Sequence, residues 1–242
     1  VTATPSLPVT NELINCLSNI QSKWLISHSK LVELKFGQIL NTTDRPIANV
    51  YFPLTGFISM FVEMIDERPA EMGLIGSEGM LGATLSLGKL NAPMQAVVRG
   101  PGKALQIDAM VFCQYLKTNA SLQEILQRYL YVLIQQLSLT GACMYSHEVS
   151  QRLARWLLMV QDRFHTRQFN LTHQNLAEMI GVRRSAVTIA AGVFQRAGLI
   201  KYSRGQIEVL SRAGLRHASC QCYVAALNLQ KKEFHTPHII RT

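Results

Sequence analysis

Leu171-Thr172-His173-Gln174-Asn175-Leu176-Ala177-Glu178-Met179-Ile180-Gly181-Val182-Arg183-Arg184-Ser185-Ala186-Val187-Thr188-Ile189-Ala190-Ala191-Gly192-Val193-Phe194 is the stretch on which the reading of this chain turns. Thr172 is a good helix N-cap, because its hydroxyl can accept from a free backbone N–H one turn on. Leu176, Met179 and Ile180 share an apolar face, and Ala177 is small where two helices must approach. Gly181 supplies the backbone freedom of a tight turn. A second helix is predicted from about Arg183, with Val187, Ala190, Ala191 and Phe194 facing inward and Arg184, Ser185 and Thr188 on its first exposed turns. Two helices joined in this way make a helix-turn-helix pattern.

That geometry carries a chemistry. The second helix of such a pair enters the major groove of DNA, and its N-terminal residues meet base edges. Arg184 is the best candidate base reader, since a guanidinium pairs bidentately with guanine O6 and N7. Ser185 and Thr188 can bond to bases or phosphates. Arg183 and His173 suit phosphate, which gives affinity and register rather than sequence information. Thr172, at the head of the first helix, belongs to the same DNA-binding set. Downstream, Gly198 to Leu210 reads as a β-hairpin with Ser203-Arg204-Gly205 as its turn. A hairpin directly after a recognition helix is a wing, and Arg204 at its tip can reach a phosphate. The alternative for these arginines is a merely solvated helix face.

Charge agrees with this placement. Residues 1–147 hold ten Lys/Arg and ten Asp/Glu, whereas residues 148–242 hold fourteen and five, so the whole excess of +9 lies in the last part of the chain. A basic domain attracts a polyanion, and nucleic acid is the usual one. With 48% hydrophobic and 16% charged residues over 242 positions, the chain can bury a core and is not intrinsically disordered. Its five cysteines, Cys16, Cys113, Cys143, Cys220 and Cys222, are odd in number and scattered, which suits a reduced, cytoplasmic setting better than a disulfide framework. No secretory signal is evident at the N-terminus, and the longest charge-free stretch, Tyr129 to His147, is too polar for a lipid-facing span, so no membrane association is expected.

Ahead of the helix-turn-helix the periodicity changes twice. Residues 11–30 read as short helical pieces. From Leu31 to Ile107 short β candidates alternate with turn residues, among them Val50–Val62, Glu71–Ile75, Met94–Val98 and Ala104–Ile107, a pattern of an antiparallel barrel or sandwich. Met110–Leu116 is a short helix, and a long one runs from about Ser121 to about Tyr145. Leu126, Leu130, Leu133, Leu137, Thr140 and Met144 form a heptad seam on it, beside a second stripe of Leu122, Ile125, Tyr129 and Val132. Two stripes can serve the helix's own domain and a second chain, so Leu126, Leu130, Leu133, Leu137 and Met144 are the expected dimerisation residues; a helix buried on both sides within one subunit is the alternative. Glu148–Phe164 is a further amphipathic helix, His165–Phe169 reads as a linker, and the tail from Val224 has little periodicity beyond one helical turn.

The order of parts resembles the Crp/Fnr family of bacterial transcription regulators over roughly residues 12–215. Carrying the resemblance are Leu176–Gly181 with Ser185–Thr188, the tract Gln195–Ile200, and Val50-Tyr51-Phe52-Pro53-Leu54-Thr55-Gly56. It implies an α+β fold: a cyclic-nucleotide-binding-like jelly-roll β-barrel over 1–120, a dimerisation helix over 121–147, a winged helix-turn-helix over 148–223, and a loosely held tail over 224–242. It further implies a homodimer on near-palindromic double-stranded DNA, a signal relayed from barrel to DNA-binding heads, and RNA polymerase as a further partner.

Departures from the family are equally specific. The cyclic AMP-binding members carry a Gly-Glu pair and an Arg followed by a small hydroxyl residue; the corresponding positions here are Gly82-Ala83 and Met94-Gln95. Both the cation for a cyclic phosphate and the carboxylate for its ribose are missing, and Glu78 nearby does not replace an Arg, so control by cyclic AMP is not expected. The clustered N-terminal cysteines of the iron–sulfur members reduce to Cys16 alone. Cys220-Gln221-Cys222, with His217 near, is read as two ordinary cysteines, and the lone His28 and His147 as structural or solvated, so no metal or cofactor is expected. Where the cyclic AMP receptor protein has Arg-Glu and a second Arg, this chain has Arg184-Ser185 and Ile189, which implies a different half-site. No nucleophile elbow, metalloprotease motif or phosphate loop occurs, so no enzyme is expected. The alternative to a DNA-binding regulator is a sensor of an unidentified ligand, or an interaction module whose winged helix no longer reads DNA.

Overall fold

The computed structural model describes residues 11–64, 69–164 and 166–234. At its start the Asn11 carboxamide caps α1 (Glu12–Asn15) by accepting from the Ile14 N–H at 3.1 Å, and donates to the carbonyls of Pro53 and Gly79, each at 2.9 Å. One side chain thus fixes where the first helix meets two loops. Helix α2 (Asn19–Ser27) follows behind a capping box made by Ser18 and Gln21.

Seven strands come next: β1 (Lys30–Leu34), β2 (Ile39–Asn41), β3 (Asn49–Pro53), β4 (Phe57–Val62), β5 (Ala70–Ile75), β6 (Gln95–Gly100) and β7 (Gly102–Asp108). They form two antiparallel sheets, ordered β1-β7-β3 and β2-β6-β4-β5. The expected antiparallel jelly-roll is present, its strands arranged in two facing sheets. Strand β3 shows why the run Val50-Tyr51-Phe52 carries no polar residue. Successive side chains leave opposite faces. Tyr51 joins Ile58, Met60, Ile75 and Val98 in the core between the sheets, while Val50 and Phe52 pack outward on helices. Both faces are covered, so both are apolar.

Helix α3 (Ala109–Lys117) starts at Asp108, whose carboxylate accepts from the Met110 and Val111 N–H groups. Helix α4 (Ala120–Ser146) follows, about 40 Å long at 1.5 Å per residue. Leu122, Leu126, Tyr129, Leu130 and Val132 are buried along it. Its approach to the sheets is close: a Cβ on Gly79 would lie 2.1 Å from the Tyr129 hydroxyl oxygen, so that position accepts only glycine while Tyr129 sits there.

The C-terminal part comprises α5 (Val149–Phe164), β8 (Gln168–Asn170), α6 (His173–Ile180), α7 (Arg184–Arg196), β9 (Ile200–Ser203), β10 (Gln206–Val209), α8 (Arg212–Ala218) and α9 (Cys222–Phe234). The stretch read as a linker at 165–169 contributes a strand: Phe169 pairs with Ile207, making β8 the third strand of a sheet ordered β8-β10-β9. From Val224 a loosely held stretch was expected; residues 222–234 are instead helical. Helix α9 packs on α4, with Tyr223 buried and Gln230 donating to Glu12 at 2.9 Å. Its helicity comes from that tertiary surface, which an apolar stripe in the sequence does not advertise. The rest of the tail, 235–242, lies outside the described residues.

Helix α5 joins the two halves. Phe57 of β4 meets Trp156 and Phe164 edge-on, with ring centroids 6.1 and 5.4 Å apart. Arg163, near the end of this amphipathic helix, is buried: it pairs with Glu78 at 2.5 Å and donates to the Leu74 carbonyl at 3.3 Å. Trp156 Nε1 donates to the buried Glu71 carboxylate at 3.0 Å.

Candidate nucleic-acid interface

The helix-turn-helix is held from behind. Thr172 caps α6 by accepting from the Asn175 N–H at 3.1 Å, and the Asn175 side chain accepts from the Thr172 N–H. Gly181 stands in the left-handed region at φ +63°, which ends α6 and turns the chain toward α7. Leu176, Ala177, Met179, Ile180, Val187, Ala190, Ala191 and Phe194 are buried in one core with residues of α5, as the apolar pattern requires. Arg152 of α5 donates to the Ile180 carbonyl, fixing the corner from behind.

What remains outward on α7 is Arg184, Ser185, Thr188 and Ile189, all exposed, with Arg183 exposed at its N-cap. Arg183 makes no side-chain cap, so its guanidinium is not spent on the helix. Thr188 is partly committed: its hydroxyl donates to the Arg184 carbonyl at 3.1 Å and lies 3.0 Å from His173 Nδ1. His173 in turn stacks on Tyr202 of β9, with ring centroids 4.1 Å apart. Burial, with Arg184 adding to it, holds the His173 imidazole below its ordinary value and so favours the neutral ring. His173 therefore braces α6 against α7 and the wing, a role its sequence position does not reveal.

Ile189 is 69% exposed and Val193 is 45% exposed on the same helix. These exposed apolar side chains on the outer face of α7 were not among the site residues expected from sequence. Their signal was the absence of a reason for burial. Beyond α7, Arg204 is exposed at the hairpin tip with φ +48°. The hairpin is tied to the start of α6, because Leu171 N–H donates to the Gly205 carbonyl at 2.7 Å.

Residues 151–218 match the Crp-like helix-turn-helix domain. That match covers the C-terminal part of the chain, and beyond it the likeness to known proteins is one of fold. The chain's fold is shared by FixK2 of Bradyrhizobium japonicum (TM-score 0.68, 13% identity, covering 79% of this chain and 98% of that one). The c-di-GMP responsive global regulator CLP of Xanthomonas campestris is similar, at TM-score 0.61 and 17% identity over 79% of this chain and 98% of that one. So is a CRP-family transcriptional regulator of Thermus thermophilus, at TM-score 0.63 and 15% identity over 78% and 96%. No curated protein matches by sequence. Among the described residues no helix is long and apolar enough to cross a membrane.

Two further features lie outside the helix-turn-helix. Between the sheets and α4 lies a cavity of about 240 Å³, lined by Met60, Ile75, Met94, Leu133, Leu137 and neighbours, with Asn41 and Thr84 among its polar groups and no charged side chain. Gly82-Ala83 and Met94 do border it, but neither supplies a charge. Glu78 is engaged by Arg163 and does not line it. On α4, Leu126 and Leu130 are buried in the chain's own core, and Leu133 and Leu137 are partly buried against it. Met144 is also half-buried, beside the start of α5, and Arg152 Nη1 lies 3.5 Å from its carbonyl. Of the heptad expected to meet a second chain, Leu126 and Leu130 are thus taken by the chain's own core, while Leu133, Leu137 and Met144 keep part of their surface exposed. The helix leaves Tyr131 (53%), Ile134 (59%) and Tyr145 (95%) exposed instead.

Proposed function

We propose that the chain binds DNA sequence-specifically as a homodimer on a near-palindromic operator and regulates transcription without control by cyclic AMP. The observation that carries this reading is the outer face of α7, where Arg184, Ser185, Thr188 and Ile189 stand exposed on a helix whose other face is fixed in a core. Arg184 reads a guanine, and Ile189 suits the methyl group of a thymine. Arg183 and Arg204 take phosphates on either side. Tyr131, Ile134 and Tyr145 support a two-fold seam on α4, which places two recognition helices about one DNA turn, roughly 34 Å, apart. The chain works by binding rather than catalysis, in the cytoplasm with RNA polymerase as its further partner.

The uncharged cavity supports the exclusion of cyclic AMP, since a cyclic phosphate buried there would have no cation to pair with. It favours, as a second reading, an apolar effector of small size. Selection from a random duplex pool without added ligand tests the main proposal. A palindrome with fixed half-site spacing is expected, bound more weakly as salt rises. A folded protein that enriches no sequence would overturn an effector-independent reader and favour the sensor, or a winged helix that no longer reads DNA.

A further inference from the structure

Three buried cysteines, one of them 77 residues ahead of the nearer of the other two, converge at the junction of the two halves. Cys143 sits in the last turn of α4, Cys220 lies between α8 and α9, and Cys222 opens α9. His147, the C-cap of α4, joins them; its N–H donates to the Cys143 carbonyl at 3.2 Å, which brings the ring back over the helix end. Cys143 Sγ and Cys220 Sγ are 3.5 Å apart, and Cys222 Sγ is 3.7 Å from His147 Nδ1. All four donor atoms lie within 4.8 Å of one another.

These separations have a chemical meaning. A tetrahedral zinc ion, with sulfur at about 2.3 Å and nitrogen at about 2.0–2.1 Å, sets its donors roughly 3.5 Å apart. Simple thiol packing gives no reason for an imidazole nitrogen to point into the same space. The four atoms also stand too close together to surround a multi-iron core, which would have to lie between them. A disulfide would need the sulfurs at about 2.05 Å and would leave one cysteine and the histidine unused. The surroundings suit an anionic site: the Cys143 thiol is pulled down, first by its hydrogen bond with Cys220 and further by the Arg155 guanidinium. Arg152 feels the same two cysteines.

We propose that Cys143, His147, Cys220 and Cys222 bind one zinc-type divalent ion, a closed Cys3His site that fastens the end of α4 to the α8–α9 joint of the DNA-binding domain. Three thiolates and a neutral imidazole around a 2+ ion leave one negative charge, which Arg155 and Arg152 offset. Each thiol that enters the site gives its proton to solvent, so affinity rises with pH. The sequence offered only Cys220-x-Cys222 as a close pair; folding brings Cys143 to Cys220 across 77 residues and His147 to Cys222 across 75.

The test uses the full chain, stripped with a chelator under reducing conditions and titrated with cobalt(II). Expected are saturation at one ion per chain, the visible bands of tetrahedral cobalt, a thiolate charge-transfer band, and bleaching of both by equimolar zinc. Cys220→Ser and Cys222→Ser should each lower the charge-transfer intensity by about one third, in proportion to the thiolates left. His147→Ala should keep that intensity and change the visible bands, and Cys16→Ser and Cys113→Ser should change neither. Zinc should also raise the melting temperature of the wild type. Octahedral cobalt, no saturation at one equivalent, or a signal that persists in the Cys143→Ser, Cys220→Ser and Cys222→Ser variants would overturn the site. A Cys143–Cys220 disulfide found in freshly reduced protein would do the same. The wild-type spectrum decides whether a tetrahedral thiolate site exists, and the variants, each checked for folding by circular dichroism, decide which residues form it.

Discussion

Glu71→Gln should make this protein more stable in mild alkali and leave it nearly unchanged in mild acid. Glu71 is buried where β5 meets α5, and its carboxyl accepts the indole N–H of Trp156. Burial pushes it up from 4.5 to about 7, against the pull of Trp156, Ser59 and the Arg99 and Arg163 guanidiniums. A folded-state value raised above the unfolded one means that the native state binds the proton more tightly. The carboxyl's stabilising contribution is therefore full below about 4.5 and is lost as pH rises through about 7. At about 1.4 kcal/mol per pH unit the loss is on the order of 3 kcal/mol, a large part of a domain's net stability. Glutamine keeps an oxygen for Trp156 and has no proton to lose. Urea unfolding, followed by Trp156 fluorescence in a Trp24→Phe background, would be compared between wild type and Glu71→Gln from mild acid to mild alkali. The wild-type curve should fall with pH while the variant's stays flat. Parallel curves would refute the reasoning, because Glu71 would then be titrating alike in the folded and unfolded chain.

Arg184→Ala should cost about 1–3 kcal/mol at the preferred operator and relax selection at one guanine, read by binding to operators substituted at each position; equal weakening on all sequences would remove its base-reading role. Arg204→Ala should weaken binding uniformly and shallow the salt slope by roughly 0.9, measured as binding against salt concentration. Ile134→Arg should yield monomers in sedimentation by placing an unpaired charge in the two-fold seam, whereas Leu133→Arg should lower the melting temperature first, since Leu133 packs on the chain's own core.

The helix-turn-helix was legible because a cap, a small residue, a turn glycine and a 3.6-residue period all fell within 24 positions, each with a local physical cause. Strand β8 was not, because only Phe169 of its three residues faces a core. Helix α9 lacked a stripe to announce it. The α4 seam shows a different limit. Periodicity identified two apolar stripes but could not say which one the sheets would claim, and the sheets took Leu126 and Leu130, leaving Tyr131 and Ile134 outside. Cys143 and Cys220 come together only through the tertiary fold, so no spacing rule connects them.

Strand β8 has a consequence for how binding sites for this protein can diverge. It makes the wing the continuation of the chain that enters α6, with β10 between β8 and β9 as the shared partner. The wing tip, the α6 cap and the start of α7 therefore move as one stamp, and the reach from Arg204 to Arg184 is preset. Such a head cannot stretch to meet a site whose phosphate and base contacts are spaced otherwise. On the proposed reading of DNA, divergence of its targets runs through the side chains of Ser185, Thr188 and Ile189, one letter at a time, while the die that carries them keeps its shape.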